Sequence, residues 1–341
     1  MEVIRGWTHR AFPIEDLSFV GEARRHVGRL AAERGWPEHD SARAALVATE
    51  LGTNLAKHAQ AGQLLVAARD ALGDIELIAV DRGPGMPDLA RSMRDGFSTT
   101  ATAGTGLGAI ARQSEAFDLH SLPGMGTVCL ARVRPRTGTA VAAPARTDAF
   151  DWGAVCVPVR GETACGDAWM LAFDGHRAAA LLADGLGHGP DAQVAAQAAL
   201  EGFASRPFDD GAATMQSVHE RLRTTRGAAV FGLWMDGEAL RYTGAGNVAG
   251  RLVSGTADKA LATAHGTLGL QVRRFDMTPA TRPPHALALL HSDGVQTRWP
   301  GAALASLLAR EPTLLAARIF ADYARGRDDA CVVALRPKEG P

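Results

Sequence analysis

The chain has 341 residues, enough for two domains, and its 36 Lys and Arg residues balance 37 Asp and Glu residues. This balance argues against a protein that binds nucleic acid or a membrane surface. The four Cys residues, at 129, 156, 165 and 331, show no C-x-x-C spacing, which excludes the common zinc motifs and indicates a reducing compartment. No apolar run approaches the roughly 20 residues that span a bilayer, and no apolar signal region follows Met1. Composition therefore predicts a cytoplasmic protein without nucleic-acid or membrane partners.

In chain order, the first half predicts one mixed helix-and-strand domain. Its apolar patterns change from alternation to helical spacing and back, with Gly and Pro at the boundaries. The predicted elements are a strand at 2–11, helices at 14–34 and 40–59, strands at 63–68 and 75–80, a glycine-led helix ending near 117, and a hairpin of 119–121 with 127–133.

The second predicted helix, with Asp40-Ser41 as its expected cap, carries a polar stripe beside its apolar face. Glu50, Asn54, Lys57 and His58 follow the spacing i, i+4, i+7 and i+8, so they share one helical face. Such a stripe is usually a solvated surface. For Lys57 and His58, a solvated position and a phosphate contact both remain open.

Two glycine motifs follow this helix. Asp81-Arg82-Gly83-Pro84-Gly85 ends a predicted strand, and Gly104-Thr105-Gly106-Leu107-Gly108 opens a predicted helix. The second run has the wrong spacing and position for a dinucleotide fingerprint, and no Lys-Ser or Lys-Thr follows to make a P-loop. It does offer backbone N–H groups at a helix start, which suit phosphate oxygens.

Together, E-L-x-x-N-x-x-x-H, D-R-G-P-G and G-T-G-L-G resemble the GHKL ATP-binding domain, above all its small anti-sigma and switch serine kinases (the RsbW and RsbT type). The resemblance spans about residues 10–135 and implies the Bergerat α/β sandwich, with ATP and Mg²⁺. Asn54 would coordinate the Mg²⁺, and Glu50 would be the general base or would orient Mg²⁺-bound water. Asp81 would accept a hydrogen bond from the adenine amino group. The other implied ATP contacts are Lys57, His58, Gly83, Gly85, Gly104, Thr105, Gly106, Leu107 and Gly108.

Residues 136–149 are rich in Pro, Thr, Ala and Arg without apolar periodicity, which predicts a linker between domains 1–135 and 150–341. The whole chain is therefore expected to be an α/β (α+β) protein of two domains. The predicted elements of the second domain are a strand at 152–159, a hairpin of 168–173 with 178–183, helices at 191–203 and 212–224, a hairpin of 228–235 with 238–242, and an interrupted helix at 301–324.

The first hairpin of the second domain places two carboxylates side by side. Asp174-Gly175 between apolar runs is a strong turn signal, and folding there brings Asp167 opposite Asp184. Two carboxylates at such a short distance raise each other's pKa unless a cation neutralises their charge. A divalent metal ion that prefers oxygen ligands would serve as this cation. Asp293 and Asp328 also lie at predicted strand ends, where side chains can converge on one sheet edge.

The series G-D, A-D-G-x-G-H-G, S-D-G and D-D-A-C resembles the SpoIIE-type branch of the metal-dependent Ser/Thr protein phosphatases, over about residues 150–337. The resemblance implies an αββα sandwich with two Mn²⁺ or Mg²⁺ ions and a bridging hydroxide that attacks phosphoserine. Asp167 would bind the second metal, and Asp184 would bridge both. The Gly185 carbonyl would help to bind one ion, and Asp293 and Asp328 would complete the site.

Two further positions have roles that the resemblance leaves open. His188, in the G-H-G turn, is assigned a structural role, with a phosphate contact as the alternative. Gly244–Asn247 resembles the family segment that lines the site without binding metal, and a plain turn is an equal alternative.

The leading interpretation is one chain with opposed activities. The first domain would phosphorylate a STAS-type partner, either an anti-sigma antagonist or a stressosome protein, and the second would remove the phosphate. Alternatively, the chain is a partner-switching module whose ATP domain only binds a sigma factor or STAS protein, with a catalytic phosphatase. A third interpretation, an inactive scaffold, is disfavoured because four unpaired carboxylates at one edge would be destabilising without metal.

Overall fold

The structure, a computed structural model, describes residues 1–93, 106–136, 149–272 and 274–338. The chain divides into two compact units. We call His9–Pro144 the single-sheet unit, and Met1–Thr8 together with Ala145–Pro341 the two-sheet unit. Residues 137–148 of the predicted linker lie outside the described residues.

Both units contain helices and strands, as the changing periodicity predicted. The strands are β1 Glu2–Arg5, β2 Arg10–Pro13, β3 Gln63–Arg69, β4 Asp74–Val80, β5 Ala116–Leu122, β6 Gly126–Val133, β7 Phe150–Val157, β8 Asp167–Asp174, β9 Arg177–Gly185, β10 Ala228–Asp236, β11 Ala239–Ala245, β12 Ala249–Val253, β13 Asp258–Leu261, β14 Thr278–Thr281, β15 Leu287–His291 and β16 Ala330–Pro337. The helices are α1 Leu17–Glu33, α2 Glu38–His58, α3 Leu89–Ser92, α4 Gly106–Gln113, α5 Pro190–Ala204, α6 Gly211–Leu222 and α7 Pro312–Tyr323. No helix in the described ranges is both long and apolar enough to cross a bilayer.

The single-sheet unit is an antiparallel sheet in the order β2-β3-β4-β6-β5, packed against α1 and α2. Asp16 caps α1 by accepting a hydrogen bond from the Ser18 amide at 2.7 Å. Val20, Val27 and Ala31 then recur at helical spacing and are buried against the sheet. The apolar face of α2, with Leu51 at its centre, completes the same core, so the polar stripe of α2 lies beside this core.

The two-sheet unit stacks a sheet of order β1-β8-β9-β10-β11-β14 on one of order β13-β12-β15-β16-β7. Trp169, Phe231 and Leu290 belong to the core between the sheets. The Ala-rich helix α5 and its neighbour α6 share a second core with β8, β9 and β10, and α7 packs on β7 and β16. Helices therefore cover both outer faces, and the predicted αββα sandwich is confirmed.

Three predicted elements differ in the structure. The predicted strand at 2–11 is two strands, because β1 pairs with β8 and β2 pairs with β3. Residues 1–8 thus belong to the two-sheet unit, in contrast to the predicted domain 1–135. Helix α2 begins at Glu38 rather than after Asp40, because the Asp40 carboxylate is fully buried and accepts hydrogen bonds from Arg43 and the Arg136 amide. The predicted helix at 301–324 is a 3₁₀ segment, Gly301–Leu307, followed by α7.

Candidate functional site

The single-sheet unit brings the end of the glycine run against the polar stripe of α2. Glu50 and Asn54 are half-buried on α2, and Gly106 is the first residue of α4. A Cβ atom placed on Gly106 would lie 3.3 Å from Glu50 Oε2 and 3.5 Å from Asn54 Oδ1. The carboxylate and the amide therefore meet the start of a helix, where backbone N–H groups are available to phosphate oxygens.

Asp81 lies at the end of β4, in a turn that only small residues fit. Its carboxylate accepts a hydrogen bond from the Gly83 amide at 2.6 Å, and its own amide donates to the Thr127 carbonyl at 2.9 Å. Gly85 has a φ of +69°, and a Cβ atom there would collide with the Leu122 carbonyl. These contacts fix a half-buried carboxylate at the end of β4, and its contact with adenine stays a prediction.

The remaining predicted ATP contacts are placed less closely or lie outside the described residues. Lys57 and His58 are exposed at the end of α2, so both the solvated position and the phosphate contact stay open. Leu107 and Gly108 are half-buried in the first turn of α4. Gly104 and Thr105 lie outside the described residues.

The acidic cluster of the two-sheet unit consists of Asp167, Asp184, Asp293 and Asp328. Asp167 and Asp184 are direct partners in the antiparallel pairing of β8 and β9, which confirms the predicted register. Asp293 follows β15, and Asp328 precedes β16, its neighbour in the other sheet. One carboxylate thus lies at or near the end of each of four strands, two from each sheet.

The carboxylates of the acidic cluster perturb one another. Burial, followed by the charges of Asp293 and Asp328, raises the pKa of Asp184 to about 8. Burial and the neighbouring Asp184 charge raise the pKa of Asp167 well above its usual range. Burial and the Asp328 charge also raise the pKa of Asp293. The side chains therefore lie within electrostatic range of each other, where a cation would favour the ionised forms.

Two neutral side chains support the acidic cluster. Ser292 Oγ donates a hydrogen bond to Asp167 Oδ2 at 2.6 Å and accepts one from the Cys331 amide at 2.9 Å. Asn247 Nδ2 donates to Asp293 Oδ2, so this segment does line the site. The sequence reasoning missed Ser292, although its place directly before Asp293 in the S-D-G motif was a usable signal.

Asp329 is a second residue that the sequence reasoning missed. Its carboxylate accepts hydrogen bonds from the Val159 amide at 2.7 Å and from the Gly166 amide at 2.6 Å. It therefore holds the turn that leads into β8, and its partner in the D-D motif, Asp328, is left for the cluster. The signal was the doubled Asp, since two adjacent carboxylates rarely serve one purpose at a strand start.

The turn after β9 is tightly packed against α5. A Cβ atom on Gly185 would collide with the Ala192 carbonyl, so only Gly allows this approach. His188 is exposed and its Nδ1 lies 2.6 Å from Glu162 Oε1. This pairing within the loops favours the structural role predicted for His188.

The donor set fits a hard divalent cation, because its members are carboxylate oxygens. Burial and mutual repulsion destabilise their ionised forms, and a bound cation would offset both effects. As the side chains stand, no three His, Cys, Asp or Glu residues among those described are grouped closely enough to hold a metal ion. The acidic cluster is thus a set of interacting carboxylates rather than a closed ligand shell.

Comparison with known proteins finds a family model that lies within the single-sheet unit. The histidine kinase-like ATPase domain family matches residues 15–132. The serine/threonine-protein kinase RsbT of Bacillus subtilis (strain 168) is 40% identical over 109 residues, which are 31% of this chain and 81% of RsbT. The family match at residues 15–132 contains the polar stripe of α2 and lies within the single-sheet unit.

Two solved structures cover more of the chain. One, from work on the bacterial stressosome as a modular system adapted to control secondary messenger signalling, is 27% identical with a TM-score of 0.52, over 55% of this chain and 99% of that chain. The other is RsbX in complex with magnesium, 17% identical with a TM-score of 0.50, over 56% of this chain and 96% of that chain. The likeness to RsbX shows the fold.

Proposed function

The chain belongs to the family of the serine/threonine-protein kinase RsbT, and from that premise we propose that its single-sheet unit transfers phosphate from ATP to a Ser or Thr of a STAS-type partner. Asn54 holds the Mg²⁺ that accompanies ATP, and Asp81 accepts a hydrogen bond from the adenine amino group. Glu50 takes the proton of the acceptor hydroxyl, and the run 104–108 covers the phosphates. Phosphoryl transfer depends on positioning and charge neutralisation, which this small set supplies.

The observation that supports this proposal is the approach of Gly106 to Glu50 and Asn54. It brings a carboxylate, a side-chain amide and the start of a helix to one place. The test is the mass of candidate STAS proteins after incubation with this chain and ATP. Glu50→Gln is expected to lower phosphotransfer by about 10²- to 10⁴-fold while ATP still binds.

A matched control replaces an exposed carboxylate on a different helix, α1. Glu22 pairs with Arg10 on the exposed surface of the same unit, so Glu22→Gln should leave transfer unchanged. If Glu50→Gln leaves both transfer and ATP binding intact, Glu50 is not the base. If the wild-type chain binds ATP and a STAS protein or sigma factor without transfer, the partner-switching alternative holds.

For the two-sheet unit, we propose the reverse reaction class, removal of phosphate from phospho-Ser or phospho-Thr of a STAS-type partner. Asp167, Asp184, Asp293 and Asp328 hold two Mn²⁺ or Mg²⁺ ions, with help from the Gly185 carbonyl. When bound, such ions lower the pKa of water and neutralise phosphoryl charge. Ser292 and Asn247 orient the Asp167 and Asp293 carboxylates through the hydrogen bonds described above.

The test of this second activity is dephosphorylation of a phosphorylated STAS protein with Mn²⁺. Asp184→Asn removes the central carboxylate and is expected to abolish turnover. Asp236→Asn changes an exposed residue at the far end of β10 and should leave turnover intact. Equal activity of the two variants would show that the acidic cluster is not the active site.

A further inference from the structure

The first strand of the chain is part of the two-sheet unit, although the single-sheet unit follows it in sequence. β1 runs antiparallel to β8, with Glu2 opposite Phe173 and Arg5 opposite Met170. Beyond the strand, the Gly6 amide donates a hydrogen bond to the Trp169 carbonyl at 2.8 Å. The pairing therefore extends to within two residues of Asp167, the first residue of β8.

Side chains on both sides of this pairing anchor it. Ile4 is 2% exposed and belongs to the core between the two sheets. The Trp7 ring lies edge-on to Trp169, with centroids 4.8 Å apart, and 5.9 Å from the Trp152 ring. Trp169 Nε1 donates to the Trp7 carbonyl at 3.3 Å. A Cβ atom on Gly6 would collide with the Trp169 carbonyl, so this close approach requires Gly.

The same strand also contacts the helix beside the acidic cluster. The Arg5 guanidinium donates to Gln197 Oε1 on α5, at 2.7 Å and 3.3 Å. Helix α5 begins just after the turn at Gly185 and packs directly against it through Ala192. β1 thus contacts β8, which carries Asp167, and α5, which packs against the turn that follows Asp184.

The residues on either side of Thr8 are packed in their own units. Only Thr8 separates Trp7, which is packed in the two-sheet unit, from His9, which is 1% exposed in the single-sheet unit. His9 Nε2 lies 3.1 Å from the buried Glu76 carboxylate. Trp7 is thus held by ring contacts and His9 by a buried contact, each within its own unit.

We propose that residues 2–7 form a positioning strand that holds Asp167 in the acidic cluster, so that a segment preceding the single-sheet unit completes the dephosphorylation site. This inference rests on the proposed metal-dependent dephosphorylation. Without β1, the edge of β8 lacks its hydrogen-bond partner and Trp169 lacks its cover, so the start of β8 and the Asp167 carboxylate are less firmly placed. Trp7 and Gly6 act through β8 and are positioning residues.

The experiment compares full-length variants by two independent measurements. Gly6→Val introduces the Trp169 collision, Trp7→Ala removes the ring contact, and Trp7→Phe restores an aromatic ring. The first measurement is amide hydrogen exchange in residues 167–171. The second is the Mn²⁺ concentration for half-maximal hydrolysis of p-nitrophenyl phosphate, compared with the rate at saturating Mn²⁺.

Both disruptive variants are expected to accelerate exchange in residues 167–171 and to raise the half-maximal Mn²⁺ concentration about 10- to 100-fold, the usual effect of disturbing a group that orients a metal ligand. The rate at saturating Mn²⁺ should change less, and Trp7→Phe should recover most of the loss. The control is Trp234→Ala, which removes an indole that packs on Phe203 near the opposite end of the same sheet. It should leave both measurements at the wild-type value.

The proposal is overturned if Gly6→Val and Trp7→Ala accelerate exchange in β1 but leave residues 167–171 and the Mn²⁺ requirement unchanged, or if Trp234→Ala has the same effect. If either variant fails to fold, Ile4→Val removes one buried methylene from β1, and the same comparison applies. If the wild-type chain shows no Mn²⁺-dependent hydrolysis, the proposed function fails, and hydrogen exchange alone decides whether β1 positions β8.

Discussion

At the residue scale, two opposite effects act on the pKa values of Asp167 and Asp293 in the acidic cluster. Burial and repulsion raise the pKa of Asp167, whereas the hydrogen bond from Ser292 lowers it. Asp293 has the same balance, with Asn247 as the donor. A neutral donor that favours the ionised carboxylate keeps its oxygens ready for a cation and fixes their direction.

Ser292→Ala tests this support directly. Loss of the hydroxyl removes the donor to Asp167 and leaves the Cys331 amide without its acceptor. We expect the affinity for Mn²⁺, measured by titration calorimetry, to fall about 10- to 100-fold. Ser205→Ala, which removes a hydroxyl bonded to the Gly202 carbonyl in another part of the same unit, should leave the affinity unchanged. Equal affinities of the two variants would contradict the assigned role of Ser292.

The raised pKa of Asp184 predicts how pH and metal act together on stability. With a pKa of about 8, folded Asp184 keeps a proton that the unfolded chain has lost, so the free energy of unfolding of metal-free protein falls as pH rises from about 4 through 8. Mn²⁺ binds the ionised carboxylates, so it should raise the melting temperature more at pH 8 than at pH 6. Thermal scans of wild-type and Asp184→Asn protein test this, because the variant should lack the difference.

At the scale of elements, β4 has a buried ion network at its centre. Glu76 is fully buried, between Arg132 Nε at 2.7 Å, Arg69 Nη1 at 3.3 Å and His9 Nε2 at 3.1 Å. Burial alone would raise the pKa of Glu76, but the two guanidinium groups and His9 outweigh burial and lower it. The carboxylate is therefore ionised and joins β4 to β3, to β6 and to His9, the residue before β2.

Glu76→Ala leaves two largely buried guanidinium groups without this partner, although Arg69 keeps Asp74. We expect it to lower the free energy of unfolding of the single-sheet unit by about 3–5 kcal/mol, as measured by urea titration. Glu22→Ala breaks the exposed Arg10–Glu22 pair and should cost less than about 1 kcal/mol. If Glu76→Ala lowered the free energy of unfolding by no more than Glu22→Ala does, the buried network would contribute little to stability.

Local sequence patterns predicted those elements whose structure depends on residues close in sequence. The Asp174-Gly175 turn fixed the register of β8 with β9 and hence the pairing of Asp167 with Asp184, because a hairpin needs no distant partner. The same reasoning failed at Asp40, which was predicted to cap α2. Asp40 is instead buried within α2 and pairs with Arg43. Local patterns also gave no indication of β13 and β14, whose residues are mostly exposed and lack a continuous alternating pattern.

The prediction of a single first strand was wrong for a different reason. The apolar residues between Val3 and Trp7 predict a strand but do not indicate which sheet it joins. Its partner β8 lies some 160 residues away, and the choice between sheets rests on the Trp7, Trp152 and Trp169 contacts. The hairpin predicted the pair Asp167 and Asp184, and predicted strand ends pointed to Asp293 and Asp328, whereas the supporting contacts of Asp329 required the three-dimensional structure.

For the whole molecule, the two units have separate hydrophobic cores, which predicts separate responses to ligands. In calorimetric scans of the full chain, a non-hydrolysable ATP analogue with Mg²⁺ should raise the melting temperature of one transition. Mn²⁺ alone should raise that of the other. Saturation at 100 times the dissociation constant contributes about 2.7 kcal/mol to the unit that binds. A single transition that either ligand shifts equally would contradict independent units.

The central claim is that carboxylates from four strands of the two-sheet unit gather around divalent ions. The most direct test is anomalous diffraction from crystals of the full chain grown with Mn²⁺. We predict two anomalous peaks between Asp167, Asp184, Asp293 and Asp328, with Asp184 touching both. Strong Mn²⁺ peaks elsewhere and none within this acidic cluster would contradict the account.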